Sequence, residues 1–299
     1  TYIGQPFGYL TRPSATITAR NASGGVTQSY RGSLWKLTSG SLSQTYSPLT
    51  PASPGLSVTG ISAPALASNG NGTGTYMANS ADLLTFARST TMPQPQFTAN
   101  ISLTVNASDA TEAAVAGNGT ITASAPLVFN GGGSGIAFDS GALFRYGRLR
   151  LANAYGSERL VLPVGLETQF WNGFAFVTNA ADFCTRIAAS NIKLSGYQPA
   201  GYSSAVPQGN VSISGAVVAG KANLSLLKPL TPSRGSLNLC VDLDAGTGGD
   251  TTCQAATPAG LTYLQDRRTG STYTQDPASR AAFGLYKGPN NFIYYRENY

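Results

Sequence analysis

Three aspartates in a glycine-rich stretch form the pattern in this sequence that comes closest to a chemical site. Asp242, Asp244 and Asp250 lie in LCVDLDAGTGGDTTC, residues 239–253, where three glycines favour a tightly turning backbone. Ca²⁺ binds several carboxylate and carbonyl oxygens on such a backbone, so calcium is the one cofactor that this pattern suggests. The stretch lacks the further acidic positions and the final glutamate of an EF-hand loop. A solvated acidic turn beside a cysteine bridge is the alternative interpretation.

The three cysteines allow one disulfide and leave one thiol over. Cys240 and Cys253 flank the same stretch, and a bridge between them would add about 3 kcal/mol of stability in the chain-entropy model. Cys184 is an alternative partner for either of them, and spacing alone does not decide. A short glycine-rich loop bounded by cysteines is typical of an oxidising compartment, which predicts an extracellular or cell-surface protein.

Histidine is absent from all 299 residues. Its absence removes the commonest general base, the histidine-activated nucleophiles and the commonest metal ligand. A tetrahedral zinc site is also disfavoured, because three cysteines do not complete one. The sequence therefore predicts a protein that binds or builds something and is not an enzyme.

The composition favours strands and turns over helices. Charged residues make up only 11% of the chain, while 35 glycines accompany many serines and threonines. The apolar content of 41% is enough to bury a core, so disorder is not expected. No apolar run reaches the length of about eighteen residues that a membrane span needs, and no dense lysine and arginine run predicts nucleic-acid binding.

Alternating apolar residues predict the strands of this chain. Residues 97–106 (FTANISLTVN) and 236–242 (SLNLCVD) alternate with period two. Residues 211–218 and 223–227 are predicted to form a hairpin that turns around Ala219, Gly220 and Lys221. The clearest helical pattern is SADLLTFAR at 80–88, where a serine precedes apolar residues at helical spacing.

These patterns predict an all-β chain of two tandem β-sandwich domains, immunoglobulin-like in type, with very little helix. We place an immunoglobulin-like sandwich at 1–140, where the sequence is rich in threonine, serine and alanine. A second, larger sandwich is placed at 141–299, where the sequence is more aromatic and more basic. Aromatic runs at 282–287 and 292–296 predict a C-terminal hairpin within it.

Four side chains of the second half are candidates for a ligand-binding or interface surface. Arg148 and Arg150 share one face of a predicted strand and would suit acidic glycans. The alternative is an outer sheet face on which the intervening leucines point inward. Tyr294 and Tyr295 belong to an aromatic cluster, and such rings serve sugar-binding faces and protein cores alike.

The apolar stretch at 1–10 (TYIGQPFGYL) supplies two further interface candidates, Tyr2 and Phe7. If this stretch adds a strand to the open sheet edge of a neighbouring subunit, the chain would assemble into an extracellular filament. Pairing within its own domain is the interpretation that we favour.

Three stretches carry a resemblance to a known family. They are FGYLTRPSATITARNASGGVTQSYRGSLWKLT at 7–38, GRLRLANAYGSERLVLPVGLETQFWNGFAFVTNAADFCT at 147–185 and ASRAAFGLYKGPNNFIYYRENY at 278–299. Together they resemble the C-terminal region of MshQ-like proteins, which belong to MSHA type IV pilus biogenesis, and of similar large bacterial surface proteins. That region is itself of unknown function and offers no catalytic residues to transfer.

The resemblance implies an extracellular module of a Gram-negative surface protein that is secreted or attached to the envelope or a pilus. Cell adhesion linked to MSHA-like pili is the implied role, with other pilus or surface proteins, or copies of the same chain, as partners. Two alternatives stay open at this point. One is the subunit of a self-assembling surface filament, and the other is a carbohydrate-binding module that recognises surface glycans.

Overall fold

The structure, a computed structural model, describes residues 1–50, 55–59, 63–109, 120–121, 127–130, 136–139, 141–246, 249–268 and 270–285. The chain divides into two compact units. The first contains Thr1–Ser89 and Pro93–Tyr146, and the second contains Thr90–Met92 and Gly147–Tyr299. No helix in the described part of the chain is long and apolar enough to cross a membrane.

The described part of the first unit consists of short strands and two 3-10 turns, Gly32–Leu34 and Ser39–Ser41. In chain order, strands β1 to β11 are Ser14–Thr18, Leu42–Thr50, Leu56–Thr59, Ala65–Ser68, Thr73–Met77, Leu83–Phe86, Phe97–Thr98, Asn100–Ser108, Thr120–Ile121, Leu127–Asn130 and Leu143–Phe144. They form antiparallel sheets in the orders β1-β5-β4, β10-β8-β2 (with β9 also on β8), β11-β7 and β3-β6. The strand predicted at 97–106 is confirmed by β7 and β8.

The second unit contains the 3-10 turns Ala189–Asn191, Ala200–Ser204 and Thr262–Leu264. In chain order, strands β12 to β20 are Gly147–Leu151, Ala154–Gly156, Leu162–Trp171, Phe176–Thr178, Ile192–Gln198, Val211–Ile213, Lys221–Leu226, Gly235–Val241 and Ala278–Phe283. One sheet has the order β12-β14-β18-β17, with β15 also on β14, and the other has the order β13-β20-β19-β16. Only the β13–β20 pair is parallel among these described pairs.

The prediction of an all-β chain with very little helix is confirmed, since the described residues contain strands and short 3-10 turns but no α-helix. The immunoglobulin-like topology stays a prediction. The C-terminal hairpin lies mostly outside the described residues, because the description ends at residue 285, two residues beyond β20.

The hairpin predicted at 211–227 is confirmed, with β17 paired antiparallel to β18. Its turn is formed by Ala219 and Gly220, which both adopt positive φ, at 49° and 78°. Positive φ at both central residues is the hairpin geometry that follows the twist of paired strands. A side chain on Gly220 would come within 2.6 Å of the Asn179 carbonyl oxygen, so this position requires glycine.

The helix predicted at 80–88 is wrong, because this segment contains strand β6, paired with β3. Leu84 and Phe86 are fully buried, whereas Leu83, the residue before Leu84, is exposed. This alternation has period two, and the buried pair fits the inner face of a sheet. Tertiary burial therefore outweighed the local helical pattern.

Aromatic rings fill the core of the first unit. Phe7 lies edge-on to Phe138 and Phe144, with ring centroids 5.0 and 4.8 Å apart, and stacks on Phe86 at 5.8 Å. Phe86 and Phe144 also meet edge to face at 5.0 Å. Such offset and edge-on arrangements are the favourable ones for aromatic pairs. The opening stretch of the chain is thus part of the core.

Candidate functional site

The end of strand β19 is where the second unit gathers its acidic side chains. β19 pairs with β20 in a register that sets Cys240 opposite Ala278. Continuing that register by two residues on each strand places Asp242 opposite Asp276. The Val241 N–H donates to the Pro277 carbonyl at 3.1 Å, which shows that the pairing continues toward these aspartates.

Asp242 and Asp244 point to the same side because they are two residues apart on extended backbone, with the buried Leu243 between them. Asp276 joins them, and one carboxylate oxygen from each of the three lies within 4.8 Å of the others. All three aspartates are buried. We call Asp242, Asp244 and Asp276 the acidic cluster.

The disulfide predicted between Cys240 and Cys253 is present, with Cα atoms 6.0 Å apart. The alternative pairing through Cys184 is wrong, because Cys184 is exposed and carries a free thiol. The bridge holds the segment around Cys253 beside the acidic cluster, where the Ala255 N–H donates to Asp242 Oδ2 at 2.9 Å. A second N–H, that of Asp244, donates to Asp242 Oδ1 at 3.1 Å.

Asp250, the third predicted calcium ligand, lies beside the acidic cluster and holds the loop in place. Its Oδ1 accepts from the Thr252 N–H and hydroxyl, at 3.0 and 2.7 Å. Its Oδ2 accepts from the Asp276 N–H at 3.0 Å. The structure thus brings Asp242 and Asp244 together with Asp276, which sequence reasoning missed, and it uses Asp250 as a bridge between two segments.

Gln265, which follows the 3-10 turn Thr262–Leu264, is the second residue that sequence reasoning missed. Its Nε2 donates to Asp244 Oδ1 at 2.9 Å and to Asp276 Oδ1 at 3.1 Å. The Leu243 N–H also donates to Asp276 Oδ1, at 3.2 Å. Asp276 Oδ2, by contrast, is buried and has no hydrogen-bond partner.

The proximity of these carboxylates changes their ionisation. Burial, together with repulsion from Asp244 and Asp250, raises the pKa of Asp276 to about 7, although hydrogen bonds from Gln265 and Leu243 oppose the shift. Burial also raises the pKa of Asp244. Asp276 and Asp244 are therefore harder to ionise than exposed aspartates, because the acidic cluster is buried and its carboxylates repel one another.

Asp250 behaves in the opposite way. Burial opposes its ionisation, but hydrogen bonds from Thr252 and from the Asp276 backbone, with Arg268 nearby, lower its pKa. Asp250 is therefore the carboxylate of this region that is stabilised in its charged form.

A cleft of about 800 Å³ opens beside the acidic cluster. Asp244, Asp250 and Gln265 contribute to its wall, together with backbone of the disulfide loop. A small cation would reach the carboxylates through this cleft. A side chain on Gly249 would overlap the Asp244 carboxylate, so the loop backbone passes directly against that group.

The two arginines predicted as a ligand surface are paired within the sheet. Arg148 forms an ion pair with Asp266 at 3.3 Å and lies over the Phe176 ring, 4.0 Å from its centroid. Arg150 forms an ion pair with Glu167 at 3.2 Å, its neighbour in the β12–β14 register. An anion-binding role for these two arginines stays a prediction, and the burial of Leu149 and Leu151 on the same strand fits the alternative of an outer sheet face.

Tyr2 and Phe7 are the interface candidates of the opening stretch, and the favoured interpretation, pairing of this stretch within its own domain, is confirmed. Both are buried in the first unit, where large apolar side chains gain most from leaving water. Backbone bonds hold the stretch in place: the Ile3 N–H donates to the Arg145 carbonyl at 2.9 Å, and Phe7 exchanges two bonds of 2.9 Å with Leu84. The remaining candidates, Tyr294 and Tyr295, lie outside the described residues.

The signal that could have identified Asp276 is the register of β19 and β20. The strand at 236–242 was predicted but β20 was not, and their pairing joins positions that are more than thirty residues apart at the cluster. Register is set by tertiary packing, which a single sequence does not display. No comparable signal identifies Gln265.

Comparisons with known proteins give one clear result. Residues 1–129 match the family model for the third domain of DUF6701, and residues 145–298 match the model for its fourth domain. None of the curated proteins and none of the solved structures matches this chain. Because the two matches follow one another and cover most of the sequence, the chain belongs to the DUF6701 family and carries its third and fourth domains.

Proposed function

We propose that this chain is a non-catalytic structural or adhesive module of a bacterial surface protein associated with MSHA-like type IV pili. The observation that carries the proposal is the tandem match to the third and fourth domains of one family. Domains numbered in this way are parts of a larger multidomain architecture, and arrays of β-domains are common in proteins that extend from cell surfaces.

The disulfide supports an extracellular location. Cys240 and Cys253 are buried and bonded at a geometry that needs no backbone displacement. Structural disulfides persist in oxidising compartments and are rare in the cytosol. The family matches and the disulfide together favour a protein that works outside the cytoplasm.

The chemistry of the acidic cluster supports a non-catalytic role. Asp242 accepts two backbone N–H groups, and Asp250 joins two segments through its own hydrogen bonds. These contacts hold backbone together. With no histidine anywhere in the sequence, the usual base for activating a nucleophile is also lacking.

The link to pili rests on the resemblance of residues 7–38, 147–185 and 278–299 to MshQ-like proteins. We do not propose assembly into a filament through residues 1–10, because that stretch is paired within the first unit. The carbohydrate-binding alternative stays a prediction.

An in-frame deletion of the segment coding for these residues, made in the bacterium that carries it, tests the role. We expect surface attachment to fall while growth and pilus number stay normal, because the module mediates contact and carries out no chemistry. Re-expression of the complete protein should restore attachment. Unchanged attachment, or a metabolic defect in place of an attachment defect, would contradict the proposal.

A further inference from the structure

The acidic cluster concentrates negative charge without a matching cation from the protein. The carboxylates of Asp242, Asp244 and Asp276 are buried within 4.8 Å of one another. No arginine or lysine in the described ranges forms an ion pair with any of the three. Burying uncompensated carboxylates is costly, and either uptake of a proton or a bound cation relieves that cost.

A second observation points to where that partner sits. Asp276 is 0% exposed, and its Oδ2 has no hydrogen-bond partner. Its Oδ1, by contrast, already accepts from Gln265 and from the Leu243 backbone. An ordered water or a bound ion is a partner that would satisfy such a buried carboxylate oxygen.

The neighbouring groups are oxygen donors that suit a hard cation. Asp242 and Asp244 keep lone pairs beyond those used by their backbone donors, because each carboxylate oxygen accepts more than one bond. Asp244 also lines the cleft, which gives an ion a path from solvent. The loop backbone at Gly249 passes against the same carboxylate and closes that side.

We propose that Asp242, Asp244 and Asp276 form a calcium-binding site at the end of β19, with Asp276 Oδ2 as a direct ligand. The three carboxylates and water would supply the six to eight oxygens that Ca²⁺ takes. Mg²⁺ fits less well, since it demands near-ideal octahedral geometry and gives up its water reluctantly. Zn²⁺ prefers nitrogen and sulfur ligands, and this cluster contains neither.

A bound ion would tie two separate segments together. Asp242 and Asp244 follow β19, Asp276 precedes β20, and the disulfide at Cys253 fixes the intervening loop. Calcium binding would therefore stabilise the folded second unit, because the unfolded chain does not bring these carboxylates together. Sites of this kind in extracellular modules bind with dissociation constants of about 10⁻⁴–10⁻³ M.

Isothermal titration calorimetry of the complete chain, first stripped with EGTA, tests the site with CaCl₂ and separately with MgCl₂. We expect one Ca²⁺ per chain and binding of Mg²⁺ that is weaker by about tenfold or more. Thermal unfolding with and without Ca²⁺ gives a second readout, in which Ca²⁺ should raise the midpoint of the second unit.

Asp276→Asn keeps the shape of the side chain and removes its charge. It should abolish the calcium-dependent rise in midpoint while leaving the EGTA-treated protein as stable as, or more stable than, the parent, since an uncompensated charge is gone. Asp139→Asn, the same charge change in the first unit, is the matched control and should keep calcium binding.

If Asp276→Asn fails to fold, a pair of glycine variants decides the question. Gly249→Ala displaces the Asp244 carboxylate and should weaken calcium binding by about tenfold. Gly215→Ala, at a position with open space around it, should bind Ca²⁺ as the parent does.

Absence of Ca²⁺ binding by the parent chain at millimolar CaCl₂ overturns the proposal. Equal affinity for Mg²⁺, or unchanged calcium binding in the folded cluster variants, overturns it as well.

Discussion

Replacing Phe7 with alanine should destabilise the first unit by about 3–5 kcal/mol, the usual cost of deleting a buried aromatic ring. Phe7 is 1% exposed and touches the rings of Phe86, Phe138 and Phe144. Its neighbours come from separate segments of the chain, so they cannot easily close over the cavity. A loss of this size is a large share of the stability of a typical domain.

The two tryptophans allow the units to be followed separately, since Trp35 lies in the first and Trp171 in the second. In a Trp171→Phe background, urea unfolding monitored by tryptophan fluorescence reports the first unit alone. Leu10→Ala is the matched control, because Leu10 belongs to the same stretch but is 68% exposed. Equal midpoints for the Phe7 and Leu10 variants would show that the opening stretch lies outside the core.

Removing the disulfide should cost the second unit about 3 kcal/mol, because the bridge closes a loop with a sequence separation of 13 residues. The effect should extend to the acidic cluster. The Ala255 N–H that donates to Asp242 lies two residues after Cys253, and Asp250 lies three residues before it. Without the bridge, the Ala255 N–H and the Asp250 carboxylate lose their fixed positions.

Cys240→Ala combined with Cys253→Ala, in a Trp35→Phe background, isolates this effect in the unfolding curve of the second unit. Cys184→Ser is the control, since its thiol is exposed and unbonded. The double variant should unfold at a lower urea concentration than the control. A reductant should lower the midpoint of the control and leave that of the double variant unchanged. Coincident curves for both proteins would contradict the stabilising role of the bridge.

Features set by nearby residues could be predicted from the sequence. The turn at Ala219 and Gly220 was predictable because the two strands of that hairpin follow one another and the turn chemistry lies between them. The bridge from Cys240 to Cys253 was among the predicted pairings for the same reason. In both cases the signal and the structure occupy one short segment.

Features set by packing between distant segments could not be predicted in this way. The acidic cluster depends on the register that brings Asp276 to Asp242. The segment 80–88, predicted to be a helix, contains strand β6 because Leu84 and Phe86 are buried in the core. The ion pair of Arg148 was not predicted, because Asp266, its partner, lies more than one hundred residues away. The features that were missed or wrongly predicted are therefore those that depend on contacts between residues far apart in the sequence.

The proposed surface role requires this chain to be located outside the cell. The exposed thiol of Cys184 permits a direct measurement of that location. Intact bacteria are treated with a membrane-impermeant maleimide, and the protein is then isolated and its label quantified. Cys240 and Cys253 are bonded and should not react, so a Cys184→Ser strain provides the background. We expect labelling of intact cells that equals the labelling of lysed cells. Labelling that occurs only after lysis would contradict an extracellular module.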